Sequence, residues 1–543
     1  MKISLAQIKF RIGNFEYNIA KMIDAVEQAK VNHCDIICFP EMAVCGFPAM
    51  DYLLLDAFID ESIKTIEKLC QHAHDIAIVV GAPSRDIHNN TILYNSVYFL
   101  ANGTIQSVFH KLILSNQDIN DESRYFTAGN IWGIIEYQHK MIMLAIGDNA
   151  FFTDQNSLLT EDAFHKITGN TNIDLVIHIA ASPFTYLRAS ERLKTAKAIT
   201  DISKASYYYV NHCNSQGDII MDGGSFIMND KGIVIDEFPY FTEVQKHYSS
   251  DLVANATSQV TNKKDKIHLI HAALVHGIQD YFNNIGQKKA ILGLSGGIDS
   301  AVTAVLAIEA LGKENIRVLM MPSEFSTQHS IDDAVKLAEN LGIHYDIISI
   351  EDIYNTYLNN LNPIFGDLPF NVTEENIQAR IRAILNMAVS NKFGHILLNT
   401  SNKSEAAMGY GTLYGDLCGG LSVLGDVYKT EVYELARYIN KNREIIPEHS
   451  ITKAPSAELR VGQKDSDSLP EYNILDPILY QYLELGKSAK EIIEAGNDEL
   501  LVKRIFRSIN FNEFKRRQTA PILRVSTKSF GHGRRIPVTG NFS

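Results

Sequence analysis

The sequence predicts a two-domain α/β protein, a layered α/β/α sandwich followed by a doubly wound parallel sheet. Three observations carry this. The chain has 543 residues, too many for one ordinary core. Short apolar runs alternate with helical stretches through both halves. In the second half a strand, a Gly/Ser loop and a helix start follow one another between Ala290 and Leu311.

In the first half, residues 3–8, 35–39, 76–81, 96–100, 141–146, 175–179 and 207–211 read as strands. Residues 18–30 and 60–74 are helical patterns between them. Composition turns polar across 249–265, which predicts an interdomain linker there. The domains expected are therefore 1–248 and 266–543. In the second, a helix from Ile267 leads into the strand that ends near Leu294. Further strands at 316–321, 345–350 and 395–399, with helices between them, make a doubly wound sheet. The Pro- and charge-rich segment 446–470 reads as a mobile loop.

The loop Ser295-Gly296-Gly297-Ile298-Asp299-Ser300 carries the most chemistry. Its glycines let backbone approach a phosphate, and the helix start aims N–H groups at it. The serines add hydroxyl donors, and Asp299 can hold Mg2+ against the same oxygens. Gly293-Leu294-Ser295-Gly296-Gly297 also fits a G-x-S-x-G nucleophile elbow, which would make the chain a serine hydrolase. A plain tight turn is the third reading.

Charge and composition narrow the field. A net charge of −13 argues against nucleic acid or an anionic membrane as partner. Apolar content of 45% is that of a soluble globular chain, and no run reaches the length of a membrane span. The six cysteines are scattered, with no C-x-x-C pair, which fits the cytoplasm. Gly486-Lys487-Ser488 imitates the end of a Walker A loop, but the required earlier glycine is Gln481.

Four further motifs decide between the readings. They are Asn376-Ile377-Gln378-Ala379-Arg380-Ile381-Arg382, Thr400-Ser401-Asn402-Lys403-Ser404-Glu405, Gly409-Tyr410-Gly411-Thr412-Leu413-Tyr414-Gly415-Asp416, and Lys515-Arg516-Arg517-Gln518 with Gly533-Arg534-Arg535. Arg380 and Arg382 are too close to share one helix face, which gives them different contacts. With the opening loop, this ordered set resembles NAD+ synthetase from about residue 267 to the C-terminus. The loop itself is similar to that of the ATP pyrophosphatases.

The resemblance implies an ATP-dependent ligase that amidates deamido-NAD through an adenylate. Ser295, Gly296, Gly297, Asp299 and Ser300 would hold pyrophosphate. Thr400, Arg380 and Lys429 would contact ATP, and Asp299 and Glu405 would bind Mg2+. Asn376, Glu405, Asp416 and Lys515 would orient deamido-NAD. Ser456-Ala457-Glu458-Leu459-Arg460 with Gln463-Lys464-Asp465 resembles the family's closing loop. The motifs leave nicotinate mononucleotide open as the acid. The family's long members assemble through both domains, which implies a homo-oligomer.

The first half resembles the nitrilase-fold glutaminase domain of the long NAD+ synthetases over about residues 1–248. Phe39-Pro40-Glu41-Met42-Ala43 matches the segment of the catalytic Glu, and His110-Lys111-Leu112 that of the Lys. Glu41 and Lys111, with Ser182 and Arg188 as glutamine-binding remnants, survive. The family's Ile-Cys-Glu-Asp segment is matched to Ala145-Ile146-Gly147-Asp148, putting Ile146 at the nucleophile's place and Gly147 at its neighbouring Glu. Isoleucine forms no thioester. Leu114-Ser115-Asn116-Gln117 stands where the family has Leu-Pro-Asn-Tyr. The expectation is a glutaminase domain that folds but does not react, and a synthetase that takes free ammonia; the alternative is glutamine use through a nucleophile not placed by these matches.

Overall fold

The computed structural model describes residues 1–152, 157–257 and 265–540. It divides into two compact units, Met1–Lys264 and Asp265–Ser543. Residues 258–264 of the expected linker lie outside the described residues. Of the remainder, Ser250–Asn255 is helical and Asp265 caps the next helix, its side chain accepting from His268 N.

The first unit packs two six-stranded sheets face to face, with a helical layer on each outer side. One sheet runs in the order Val244–Ser249, Lys2–Gln7, Ile36–Cys38, Ala77–Arg85, Leu93–Ala101, Thr104–His110. The other runs Val234–Glu237, Phe226–Met228, Ser206–Asn211, Leu175–Ala180, Lys140–Ile146, Gly133–Tyr137. Three neighbouring strands of each sheet are parallel, and the flanking pairs are antiparallel. The period-2 alternation sets the layers. Ile142, Leu144 and Ile146 join Ile36, Val79 and Phe99 in the core between the sheets. Met143 and Ala145 face the other way, onto Phe164, Ala196 and Ile199. Outside the first sheet, Met22 and Leu69 of the helices Phe15–Val31 and Asp56–Cys70 cover Ile37 and Ile78.

The second unit is a five-stranded parallel sheet in the order His344–Ile347, Ile316–Met320, Ala290–Gly293, Ile396–Asn399, Leu421–Ser422. The chain leaves Ala290–Gly293 toward one edge, then returns to build the other side. The order reverses between Ala290–Gly293 and Ile396–Asn399, and a crevice opens at the carboxyl ends of these two strands. The segment 446–470, expected as a mobile loop, contains the helix Glu448–Thr452 and a 3-10 turn at Asp465–Asp467. Among the described residues no helix is long and apolar enough to cross a membrane.

Candidate active site

The Ser295–Ser300 loop leaves the central strand and opens the helix Ile298–Leu311, with Gly297 at its N-cap. The loop is bound to itself. Ser295 Oγ accepts from Gly297 N at 3.2 Å, and Ser300 Oγ donates to Gly297 O at 3.0 Å. Gly296 has φ +79°, and a Cβ there would stand 2.1 Å from the carbonyl oxygen of Ser330. Only glycine fits such a contact in that conformation.

Across the crevice, Asn402 caps the short helix Lys403–Met408 through a reciprocal capping box with Glu405. Asn402 Nδ2 also donates to Asp299 Oδ1 at 2.9 Å, tying the two helix starts together. Lys429 pairs with Asp299 and lies 3.7 Å from Glu405 Oε1. Burial, then the charge of Asp299, pushes the Glu405 carboxyl up to about 8. Two carboxylates thus converge on one ammonium and still lack positive charge. An all-oxygen donor pair short of charge fits a hard dication such as Mg2+.

Two adjoining cavities of about 280 and 450 Å³ open over the loop, and Ser295, Ser300, Thr400 and Asp416 line both. Asp299, Glu405 and Lys429 line the larger one. Arg382 lines the smaller, donates to Met321 O at 3.0 Å, and is pushed down to about 10 by burial. Arg380 turns elsewhere, to Leu413 O at 3.2 Å. Of the residues that the resemblance assigns to deamido-NAD, Asn376, Asp416 and Lys515 gather on the 409–416 turn, while Glu405 stays with Asp299 and Lys429. Thr412 Oγ1 donates to Asn376 Oδ1 at 2.7 Å, and Thr412 N donates to Asp416. Lys515 Nζ donates to Gly409 O and Gly411 O, both at 2.8 Å.

The sequence reading gave Glu458 no role of its own. It accepts from Thr327 Oγ1 and Ser330 Oγ, both at 2.7 Å, and pins the 454–465 loop to the helix Gln328–Leu341. Arg460 Nη1 ties the same loop to Glu375 at 2.9 Å. Lys403, inside the Asn-Lys-Ser-Glu motif, is fully buried and lines neither of these two cavities. Its ammonium meets Asp426 and Glu484 at 3.0 Å and Ser526 Oγ at 2.7 Å.

In the first unit, Glu41, Lys111 and Glu122 form a buried charged row. Lys111 Nζ lies 2.8 Å from Glu41 Oε1 and 2.8 Å from Glu122 Oε1. Burial opposes the Lys111 charge, but Glu122 and Glu41 outweigh it and hold the pKa above the ordinary lysine value. Ala181 N donates to Glu41 Oε2 at 2.8 Å. Arg192 holds Ser182, donating to its Oγ at 3.1 Å and its carbonyl at 2.9 Å, while pairing with Asp222. Arg188 pairs with Glu191 at 3.2 Å, and its buried Nε has no hydrogen-bond partner among the described residues.

The position of Ile146 is a correction. Its side chain lies in the core between the sheets, as the last member of the Ile142, Leu144, Ile146 row, and faces away from Lys111. Gly147 is the residue at the charged row. It has φ +83°, and a Cβ there would stand 2.2 Å from Lys111 Cε and 2.3 Å from Nζ. Were the family's Ile-Cys-Glu-Asp read one residue along, on Ile146-Gly147-Asp148-Asn149, glycine would stand at the thiol's place. The alternation of the strand was the signal for this register: an isoleucine that continues a core-facing row cannot also face the site.

His178 fixes this turn. The Gly147 carbonyl can only accept, so His178 Nε2 carries the proton and donates to it at 2.8 Å, while Nδ1 accepts from the Tyr207 hydroxyl at 2.6 Å. Burial pushes His178 down to about 4. Beside it, desolvation opposes ionisation of Asp148, but Arg188 and Arg192 outweigh it and lower the pKa.

Comparison with known proteins agrees across both units. The family model described as NAD synthase matches residues 270–519, and that described as carbon-nitrogen hydrolase matches residues 2–247. The glutamine-dependent NAD(+) synthetase of Synechocystis sp. is 40% identical, over 99% of this chain and 99% of that protein. That of Acinetobacter baylyi is 38% identical, over 100% of this chain and 98% of that protein. The solved glutamine-dependent NAD+ synthetase from Acinetobacter baumannii, in complex with ADP, aligns with TM-score 0.77 at 35% identity, covering 99% of this chain and 98% of that one.

Proposed function

This chain belongs to the glutamine-dependent NAD(+) synthetase family, and on that premise we propose that it amidates deamido-NAD to NAD+ with free ammonia, consuming ATP and leaving glutamine untouched. The observation that carries the synthetase half is the convergence of Asp299, Glu405 and Lys429 beside the Ser295–Ser300 loop. The observation that carries the choice of nitrogen is Gly147, a residue without a side chain at the Glu41–Lys111 row.

The chemistry follows from these residues. An oxygen of the nicotinate carboxylate attacks the α-phosphorus of ATP, the bond to the bridging oxygen breaks, and pyrophosphate departs. Negative charge grows on that leaving group. The backbone N–H groups and hydroxyls of Ser295, Gly297 and Ser300 are set in advance to receive it. Mg2+, held by Asp299 and Glu405, would neutralise phosphate charge there. Thr400 and Lys429 hold the remaining phosphate oxygens, and Asn376, Asp416 and Lys515 orient the dinucleotide acid. Ammonia then attacks the carbonyl carbon of the adenylate and AMP leaves. The loop held by Glu458 and Arg460 excludes water, which would otherwise hydrolyse the adenylate.

In the first unit Glu41 would serve as base and Lys111 as cation, and among the described residues no thiol stands at this row. Without a thioester, glutamine yields no ammonia. Purified protein given ATP, Mg2+ and deamido-NAD is expected to form NAD+ with ammonium and only background product with glutamine. Equal turnover with glutamine would overturn the ammonia reading. Failure with both donors would overturn the synthetase reading.

A further inference from the structure

Beside the Ser295–Ser300 loop stands a second cluster of ligating atoms that the synthetase chemistry does not use. The helix Gln328–Leu341 carries His329 and Asp333 four residues apart, on one face. The helix Glu448–Thr452 brings His449 up to them. One ligand atom from each of the three lies within 4.8 Å of the other two. His449 Nδ1 is 2.7 Å from Asp333 Oδ2, and the two imidazoles pack edge to face with centroids 4.9 Å apart. Thr327 Oγ1 gives its proton to Glu458 and so accepts from His329 Nδ1 at 3.1 Å, which leaves Nε2 of that ring unprotonated and able to ligate. A hydrogen bond on the non-ligating nitrogen is how metal-binding histidines are oriented. Asp333 is buried while both imidazoles are exposed, so an ion has a way in from the larger cavity, which His329 and His449 line.

The donor set selects the ion. Two imidazole nitrogens and one carboxylate oxygen suit Zn2+ or Co2+, whereas Mg2+ asks for oxygen ligands in an octahedron. Three protein ligands also leave a coordination position open. The Gly296 loop adjoins the site through the residue after each histidine, and so is the neighbour from which that position can be filled. Ser330, after His329, places its carbonyl against Gly296; Ser450, after His449, donates to Gly296 O at 3.0 Å. Lys453 is the competing cation, with Nζ 3.2 Å from Asp333 Oδ2 and 3.0 Å from Ser330 Oγ. Its ammonium neutralises Asp333 when no ion is bound, and its flexible stem lets it leave.

We propose that His329, Asp333 and His449 form a second divalent-metal site, for a borderline transition ion such as Zn2+ or Co2+, with its open position toward the Gly296 loop. That an oxygen of pyrophosphate fills the open position rests on the reading of that loop given above.

Co2+ titrated into the metal-free full-length protein, without nucleotide, tests the site separately from the enzyme's activity. A strong visible d–d band, saturating at one equivalent, is expected from a nitrogen-ligated, low-coordinate Co2+; oxygen-ligated Co2+ at Asp299 and Glu405 absorbs only weakly. The band should vanish in His329→Ala and in His449→Ala and persist in Asp299→Asn. Lys453→Met should tighten Co2+ binding several-fold by removing the competing charge, a gain that misfolding cannot imitate. Absence of the band, or its survival in the double histidine variant, would overturn the site. Addition of pyrophosphate should shift the band; an unchanged band would remove the open-position assignment while leaving NAD+ formation unaffected.

Discussion

Gly147 and Lys111 share one small volume: a side chain on Gly147 would begin 2.3 Å from the lysine ammonium. The obstructing atoms are the far end of a flexible chain, so Lys111 can withdraw. A thiol introduced there would stand beside Glu41, which Lys111 now contacts at 2.8 Å.

Gly147→Cys is therefore expected to create a reactive thiol in a domain that otherwise has none at this row. The glutamine analogue 6-diazo-5-oxo-L-norleucine should add to Gly147→Cys, read by intact mass, and not to the unaltered protein. Ile146→Cys should stay unlabelled, because its side chain lies between the sheets. Labelling of Ile146→Cys alone would restore position 146 as the nucleophile's place.

Asp299→Asn and Glu405→Gln each remove one of the two carboxylates that converge on Lys429. Losing one preorganised charge contact to the departing group costs about 100- to 1,000-fold in rate. Steady-state kcat/KM with ammonium should fall by that order in both variants. An unchanged rate in either would separate that carboxylate from the chemistry.

Gly296→Ala places a methyl group 2.1 Å from Ser330 O at φ +79°. Backbone strain of about 1–3 kcal/mol is expected to be relieved by moving the loop or the helix Gln328–Leu341. ATP affinity, measured by calorimetry, should weaken by about tenfold or more. Gly486→Ala, where the added methyl meets nothing within 4 Å but φ is +66°, controls for strain remote from the cleft.

His178 and His212 govern the acid limb of stability. His178 donates to Gly147 O at 2.8 Å and His212 to Glu41 O at 2.6 Å. Burial pushes both down to about 4, against an ordinary value of 6.5. Between these values the unfolded chain binds more protons than the folded one. Stability is therefore fully present above pH 6.5 and is lost as pH falls toward 4. Each histidine should add a slope of about 1.4 kcal/mol per pH unit in that window. Urea unfolding of the full chain across pH 4–7 should show the slope, and His178→Gln should reduce it.

Lys403→Ala removes the buried ammonium that Asp426 and Glu484 meet at 3.0 Å. Leaving buried charges uncompensated costs about 3–5 kcal/mol. Calorimetry should show a large fall in melting temperature. Lys403 would then count as a structural member of a motif whose neighbour Glu405 lines the larger cavity.

The Ser295–Ser300 loop was legible because the strand, glycines and helix start that build it are contiguous. That Asp299 and Glu405 stand together was implied by the resemblance, and both carboxylates approach Lys429. Ile146 was misread because one residue of register exchanges the two faces of a strand, and a motif match across a lost cysteine does not fix register. Arg380 was the arginine assigned to ATP, whereas Arg382 lines the cavity: both lie on the helix Val372–Phe393, and only packing decides which of them faces it.

By itself the sequence determined the two α/β halves and the contiguous strand, Gly/Ser loop and helix start at Ser295–Ser300. These rest on local periodicity and on residues adjacent in the chain. Tertiary structure alone decided that Gly147 faces Lys111, that Glu458 fastens the closing loop to the helix Gln328–Leu341, and that His329, Asp333 and His449 meet. Each of these joins residues remote in sequence, and it is the packing of sheet against helix that brings them within hydrogen-bonding or ligand distance.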